Sequence, residues 1–235
     1  HFVRQQYGFL RLYARKEDGP RWGRWIDGAA VYLATLYPLV YWHTHPRSFH
    51  WFLPGDFVPL AAAWVERVVL ALYVGALAAY VVRAVADARR TGVMNLPKHL
   101  VLLGTALSWY TGIVWYDGDL TFTATNVVAH GVPYMALIWI FERKKSGARI
   151  YRPAMAPLFV GFLLALAYVE EAFWDVLVWR DHTQFFSWLA FLPHLEEQAA
   201  LAVVVPLLAV PQATHYVLDG FIWRIRKGAL SPVSM

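Results

Sequence analysis

The stretch LAVVVPLLAVPQATHYVLDGFIWRIRK, residues 201–227, decides the fold of this chain. It is an apolar run that ends in a basic stop, and its length is about the 20 residues that a helix needs to cross a bilayer. Gln212, His215 and Asp219 interrupt it, and their spacing of three and then four residues places them on one helix face. Ionisable groups inside a membrane span are costly, so this face is a candidate functional site.

The composition of the whole chain supports the same interpretation. Of its 235 residues, 59% are hydrophobic and 17% are aromatic, and the apolar residues lie in long blocks. Helices satisfy their own backbone hydrogen bonds in a bilayer, so we predict an all-α, polytopic helical membrane protein with one transmembrane domain over residues 1–235. The chain has no cysteine, which excludes disulfide frameworks, thiolate metal sites and cysteine nucleophiles.

Similar apolar blocks recur along the chain and predict about six to seven transmembrane helices. His1 opens the sequence in what resembles the end of a helix, so we expect further residues upstream. The predicted segments are the helix tail 1–13 and the spans 28–42, 57–82, 97–116, 120–141, 153–179 and 195–223.

The basic residues orient these spans. The chain has 21 Lys and Arg residues, and the predicted alternation leaves only Arg47, Arg67 and Arg180 on one side of the membrane. The other side carries about 18 of them, which is the asymmetry that the positive-inside rule describes. We therefore expect a bacterial inner (plasma) membrane protein with cytoplasmic basic helix ends. The net charge of +5 then reflects topology and lipid contact, so a nucleic-acid partner is not predicted.

Three histidines, His1, His130 and His215, precede basic helix ends at comparable distances. Each has a polar residue four positions away, a spacing that lets one side chain hold one imidazole nitrogen. These residues are Gln5 for His1, Asn126 and Tyr134 for His130, and Asp219 for His215.

The pattern predicts a metal site with His1, His130, His215 and Asp219 as ligands. A divalent transition metal, with iron favoured, suits imidazole and oxygen ligands with an open position. The alternative is that each histidine is only hydrogen-bonded to a neighbouring helix. Pro133 and Pro211 lie close to two of these histidines, and each frees a backbone carbonyl near the predicted site.

A second polar group lies toward the predicted outer side. Glu170 and Glu171 belong to one span, and His194 and Glu197 follow across a loop, on one face of the next helix. Carboxylates combined with imidazole serve general acid–base chemistry and proton paths, so we assign these four residues as candidate catalytic residues. The alternative is an ion-pair network with Arg67 and Arg180.

The function predicted from these features is that of an integral membrane, metal-dependent oxidoreductase, with non-haem iron favoured and a lipid-like apolar substrate. Its partners would be membrane lipids and possible further membrane subunits. One alternative is a haem- or chlorophyll-binding protein with His130 and His215 as axial ligands. Another is a structural subunit of a larger membrane complex or a proton-coupled transporter. The sequence contains no phosphate-binding glycine loop and no Gly-x-Ser-x-Gly motif.

Overall fold

A computed structural model of the chain describes residues 2–17, 19–45, 58–145 and 149–222, without the side chains at 144, 145, 150 and 219–222. Within these ranges the chain is helical and has no strand, which confirms the all-α class. The helices are α1 (Phe2–Tyr13), α2 (Gly23–Thr44), α3 (Ala63–Thr91), α4 (Leu96–Trp109), α5 (Asp119–Lys145), α6 (Ala156–Trp174) and α7 (Gln198–Ile222).

Shorter helical segments extend or connect these helices. α4 and α6 each continue into a π-helical segment, Tyr110–Trp115 and Asp175–Trp179 respectively. Single 3₁₀ turns occupy Ala14–Lys16, Arg149–Tyr151, Pro153–Met155 and Ser187–Leu189.

Four of the described helices are long and apolar enough to cross a membrane, so the chain is a helical membrane protein. They are Ala63–Thr91, Asp119–Arg143, Pro153–Trp179 and Gln198–Leu218. Helices also form at the other predicted spans, but α2 and α4 are not among these four, and the predicted count of six to seven is not confirmed. α4 and its π-helical extension together cover residues 96–115, so length alone does not exclude this helix as a span.

The turn between α3 and α4 follows from its local sequence. α3 ends at Gly92, whose φ of 71° lies in the left-handed region that glycine adopts most easily. Asn95 then caps α4 by accepting a hydrogen bond from the Lys98 backbone N–H at 3.3 Å. Pro97 lies in the first turn of α4, where its missing N–H costs nothing.

The chain divides into two compact units, His1–Pro133 and Tyr134–Met235, and the boundary falls within α5. The prediction of one domain therefore stays a prediction, and each unit is described by itself. In the first unit, each of the four helices α1–α4 contributes to one buried cluster, through Leu10, Val31, Tyr80 and Leu102. The second unit has a smaller cluster at the end of α6, formed by Ala172, Val176, Phe186 and Leu189.

A glycine brings α5 close to the π-helical segment after α4. A Cβ at Gly112 would lie 2.7 Å from Phe122 Cα, a separation that atoms do not tolerate. The close approach places the Phe122 ring against two buried tryptophans, with ring-centroid distances of 4.8 Å to Trp42 and 5.1 Å to Trp109. These rings form an apolar floor next to the site described below.

Candidate functional site

His130 is buried near the middle of the candidate span Asp119–Arg143, with 8% of its surface exposed. Gln5 of α1 contacts it with both ends of the side-chain amide. Gln5 Nε2 donates to the His130 carbonyl at 3.3 Å, so Gln5 Oε1 is the atom that faces His130 Nδ1, at 2.6 Å. An amide oxygen only accepts hydrogen bonds, and the geometry therefore assigns the proton to Nδ1. In the neutral form of the ring the lone pair then lies on Nε2, as in an imidazole that ligates a metal.

The next residue, Gln6, binds the carbonyl that Pro133 frees. An α-helical residue at 133 would normally donate its N–H to the Ala129 carbonyl, but proline has no N–H. Gln6 Nε2 donates to that carbonyl instead, at 3.1 Å. The carbonyl that Pro133 frees thus joins α1 to α5.

Aromatic rings enclose this junction. Phe2 lies against the imidazole of His130 with ring centroids 4.3 Å apart, and the Phe2 ring contacts Trp109 at 6.1 Å. Aromatic rings packed in this way exclude water, and the lower local dielectric strengthens the electrostatic interactions of the imidazole.

Asn126 lies one helical turn before His130, but it does not hold the imidazole as predicted. Its Nδ2 donates to the Phe122 carbonyl at 3.0 Å, and only 3% of the residue is exposed. Its Oδ1 is buried and has no hydrogen-bond partner within the described residues. Buried polar atoms without a hydrogen-bond partner are rare, and amide oxygen and imidazole nitrogen are both donor atoms that a metal ion can use.

The remaining predicted ligands are only partly described. His1 lies outside the described residues, as does the side chain of Asp219. His215 is half-buried in the second unit, where its ring lies 5.1 Å from that of Tyr134. Tyr134 is thus adjacent to His215. Among the described residues, no three His, Asp or Glu side chains form a group that could hold a metal ion, so the four-ligand site stays a prediction.

The candidate catalytic residues lie in two segments of the second unit. Glu170 and Glu171 are exposed on α6, and Glu197 is exposed before α7, while His194 is half-buried. The expectation that His194 and Glu197 share a helix face is wrong, because α7 begins only at Gln198. The Leu195 N–H donates to the Leu177 carbonyl at 3.0 Å, and this contact binds the segment to the end of α6 instead.

Asp175 is the buried acid of this region, with 2% of its surface exposed. Its Oδ1 accepts a hydrogen bond from the His182 backbone N–H at 2.8 Å, and the His182 ring lies 3.8 Å from the same oxygen. Asp175 therefore anchors the loop that follows α6.

The first unit also contains a buried ionic cluster that the sequence pattern did not predict. Asp27 of α2 is 1% exposed and Lys98 of α4 is 2% exposed. Asp27 Oδ2 lies 3.1 Å from Lys98 Nζ, and Asp27 Oδ1 lies 2.6 Å from Arg83 Nη2. Lys98 Nζ also donates to Glu17 Oε2 at 2.8 Å, and Arg11 Nη1 lies 3.8 Å from Asp27 Oδ2. We refer to these five residues as the ionic cluster.

The ionic cluster revises the role of two basic residues. Lys98 and Arg83 counted toward the charges that orient the chain, yet both side chains are turned toward Asp27 and away from solvent. The signal in the sequence was the isolated acid directly before the apolar run at 28–34, and the isolated lysine between Leu96 and Leu103. Next to the cluster, the Tyr80 hydroxyl is hydrogen-bonded to His99 Nδ1 at 2.8 Å.

No family model matches the chain, and comparisons with curated proteins and with solved structures found no similar protein either.

Proposed function

We propose that the chain is an integral membrane metalloprotein in which His130 ligates a transition metal through Nε2. The observation that carries the proposal is the Gln5–His130 contact of 2.6 Å, which fixes the proton on Nδ1. Histidines that bind metals depend on such a contact, because it sets both the tautomer and the ring orientation. The buried Oδ1 of Asn126 and the aromatic walls support the same proposal.

The proposed activity is that of an oxidoreductase with a lipid-like apolar substrate. Non-haem iron is favoured, because it suits imidazole and oxygen ligands and supplies redox chemistry at open positions. His130 lies near the middle of a candidate span, so a substrate that reaches it comes from the apolar phase. The protein's part is to exclude water and to orient the imidazole.

His1, His215 and Asp219 are proposed to supply further ligands. We also propose a second polar site or a proton path, formed by Glu170, Glu171, His194 and Glu197. Glu170 and Glu171 lie within the candidate span Pro153–Trp179, and carboxylates in a span are typical of such paths, which supports this assignment.

The proposed location is a bacterial inner membrane, with the basic helix ends in the cytoplasm. The uneven distribution of Lys and Arg between the two predicted sides supports this orientation.

The first prediction concerns metal content. We expect the full chain, purified in detergent, to contain about one equivalent of a transition metal by mass spectrometry, and we expect His130→Ala to lose it, since imidazole is the ligand. Gln5→Leu leaves the imidazole in place but removes its hydrogen bond. It should weaken metal binding by about 10- to 100-fold, which is typical for the loss of such a contact.

The exposed residue His182 provides the control, since His182→Ala should keep the metal of the wild type. Equal metal content in the wild type and His130→Ala would contradict the proposal. A Soret or chlorophyll-like absorption band would show that the bound group is a haem or chlorophyll pigment and not non-haem iron. His215→Ala and Asp219→Asn test two of the three other predicted ligands in the same assay.

A further inference from the structure

An apolar groove runs along the contact between α3 and α4 in the first unit. Its volume is about 720 Å³, within the range of about 300–1,000 Å³ found for ligand sites. Aliphatic side chains make up most of the lining, including Val81, Val85, Leu100 and Leu103. All four are exposed by 45% or more, so they face the surroundings of the protein rather than its core.

The groove has a cationic end. Arg89 lines it in the last turn of α3, close to the turn at Gly92. Its neighbour Arg90 is paired with Asp87 at 3.2 Å, whereas no carboxylate pairs with Arg89 among the described residues. One arginine charge is thus available at the end of an otherwise aliphatic surface.

We propose that this groove binds one acyl chain of an anionic glycerophospholipid, with the headgroup phosphate at Arg89. The groove lies along Ala63–Thr91, one of the four candidate spans, so the lipid of the bilayer is the apolar molecule that surrounds it. Arginine binds phosphate through two parallel N–H···O contacts. Arg89 lies at the end of the groove, where the headgroup of a lipid would lie if its acyl chain filled the groove. This site is independent of the proposed metal site and does not require it.

The charge at the groove end selects among lipids. A zwitterionic lipid offers the same acyl chain and phosphate, but its headgroup also carries a positive charge, which Arg89 repels. An anionic headgroup lacks that repulsion and is attracted by Arg89. The same argument disfavours a partner helix, because an apolar helix in the groove would remove Arg89 from water without providing a counter-charge.

Native mass spectrometry of the full chain tests the site. The protein is released from detergent after incubation with phosphatidylglycerol or with phosphatidylcholine of identical acyl chains. We expect the anionic lipid to be retained about fivefold better, which is the effect of one basic residue at an anionic surface. Arg89→Gln should abolish the preference, and Arg90→Gln should keep it.

A second pair of variants tests the groove itself. Ala88→Trp fills the lining and should reduce retention of both lipids, whereas Val82→Trp, on α3 outside the lining, should not. Equal retention of the two lipids by the wild type would overturn the proposal, as would an Arg89→Gln variant with an unchanged preference. A protein dimer that Ala88→Trp dissociates, without bound lipid, would assign the groove to a second copy of the chain.

Discussion

At the scale of single residues, the neighbouring glutamines Gln5 and Gln6 of α1 make different contacts with α5. Gln5 fixes the tautomer of His130, and Gln6 satisfies the carbonyl that Pro133 leaves without its helical donor. A proline in a membrane helix is tolerated only if the freed carbonyl finds another donor. Here a side chain from α1 provides that donor, so the proline creates the attachment point for α1.

This arrangement predicts a rescue. Gln6→Leu should destabilise the protein by about 1–3 kcal/mol, because the buried Ala129 carbonyl loses its donor. Adding Pro133→Ala should recover most of that loss, since the N–H of an alanine at 133 donates to the same carbonyl. Denaturation of both variants in detergent micelles measures the effect.

Pro206→Ala is the matched control, because it removes a proline from α7 and should not rescue Gln6→Leu. If Pro133→Ala recovers no stability in the Gln6→Leu background, the link between the two residues is wrong.

Sequence alone predicts some of these residues but not their partners. His130 and Pro133 were identifiable, because a polar residue and a proline inside an apolar run are visible without a structure. The spacing in the sequence pairs Gln5 with His1, which lies outside the described residues, and gives no sign of the contact with His130, 125 residues away. Helical spacing describes neighbours on one helix only, so it cannot reveal which side chain of another helix reaches a given imidazole.

At the scale of the helices, the ionic cluster joins α2, α3 and α4 through Asp27, Arg83 and Lys98. Charges so deeply buried are costly unless each has a partner. Gly23 contributes to this arrangement, because a Cβ there would lie 2.0 Å from Arg83 Nη1 and displace the guanidinium.

Removing the shared carboxylate should therefore destabilise the first unit. We expect Asp27→Asn to cost about 3–5 kcal/mol, the usual effect of breaking a buried ion pair, because Arg83 loses the carboxylate at 2.6 Å even though Lys98 keeps Glu17. Asp87→Asn removes an acid whose side chain is 40% exposed and which lies 4.0 Å from Arg83 Nε, at the edge of the cluster, and it should cost about 0–1 kcal/mol. Thermal unfolding in detergent compares the two, and equal melting temperatures would contradict a structural role for the cluster.

The apolar runs of the sequence predicted where most helices lie, but they did not predict where each helix ends or which side chains it buries. Apolar runs marked each of α2–α7, since the bilayer requires such runs wherever a helix crosses it. The start of α7 differs from the prediction because Leu195 is bonded to Leu177, a tertiary contact that no local pattern contains. The burial of Lys98 depends in the same way on Asp27 and Glu17, which belong to other parts of the chain.

At the scale of the whole molecule, the absence of cysteine makes the proposed orientation directly testable. Tyr116 and Val93 are exposed at opposite predicted ends of α4 and its π-helical extension. In intact cells we expect a membrane-impermeant maleimide to label Tyr116→Cys. Val93→Cys should react only after permeabilisation, because the positive-inside rule places the α3–α4 turn in the cytoplasm.

The wild type is the control, since it has no thiol to label. Labelling of Val93→Cys alone in intact cells would reverse the proposed orientation.

The contact between α1 and α5 also has a consequence for biosynthesis. Gln5 and the residue it binds are 125 positions apart in the chain. At about 5–20 residues per second, a ribosome needs about 6–25 s to make the intervening chain. During that time the carbonyls and the imidazole that Gln5 and Gln6 bind have not yet been synthesised. The yield of folded protein should therefore respond to the rate of translation between α1 and α5, even in variants whose final stability is unchanged.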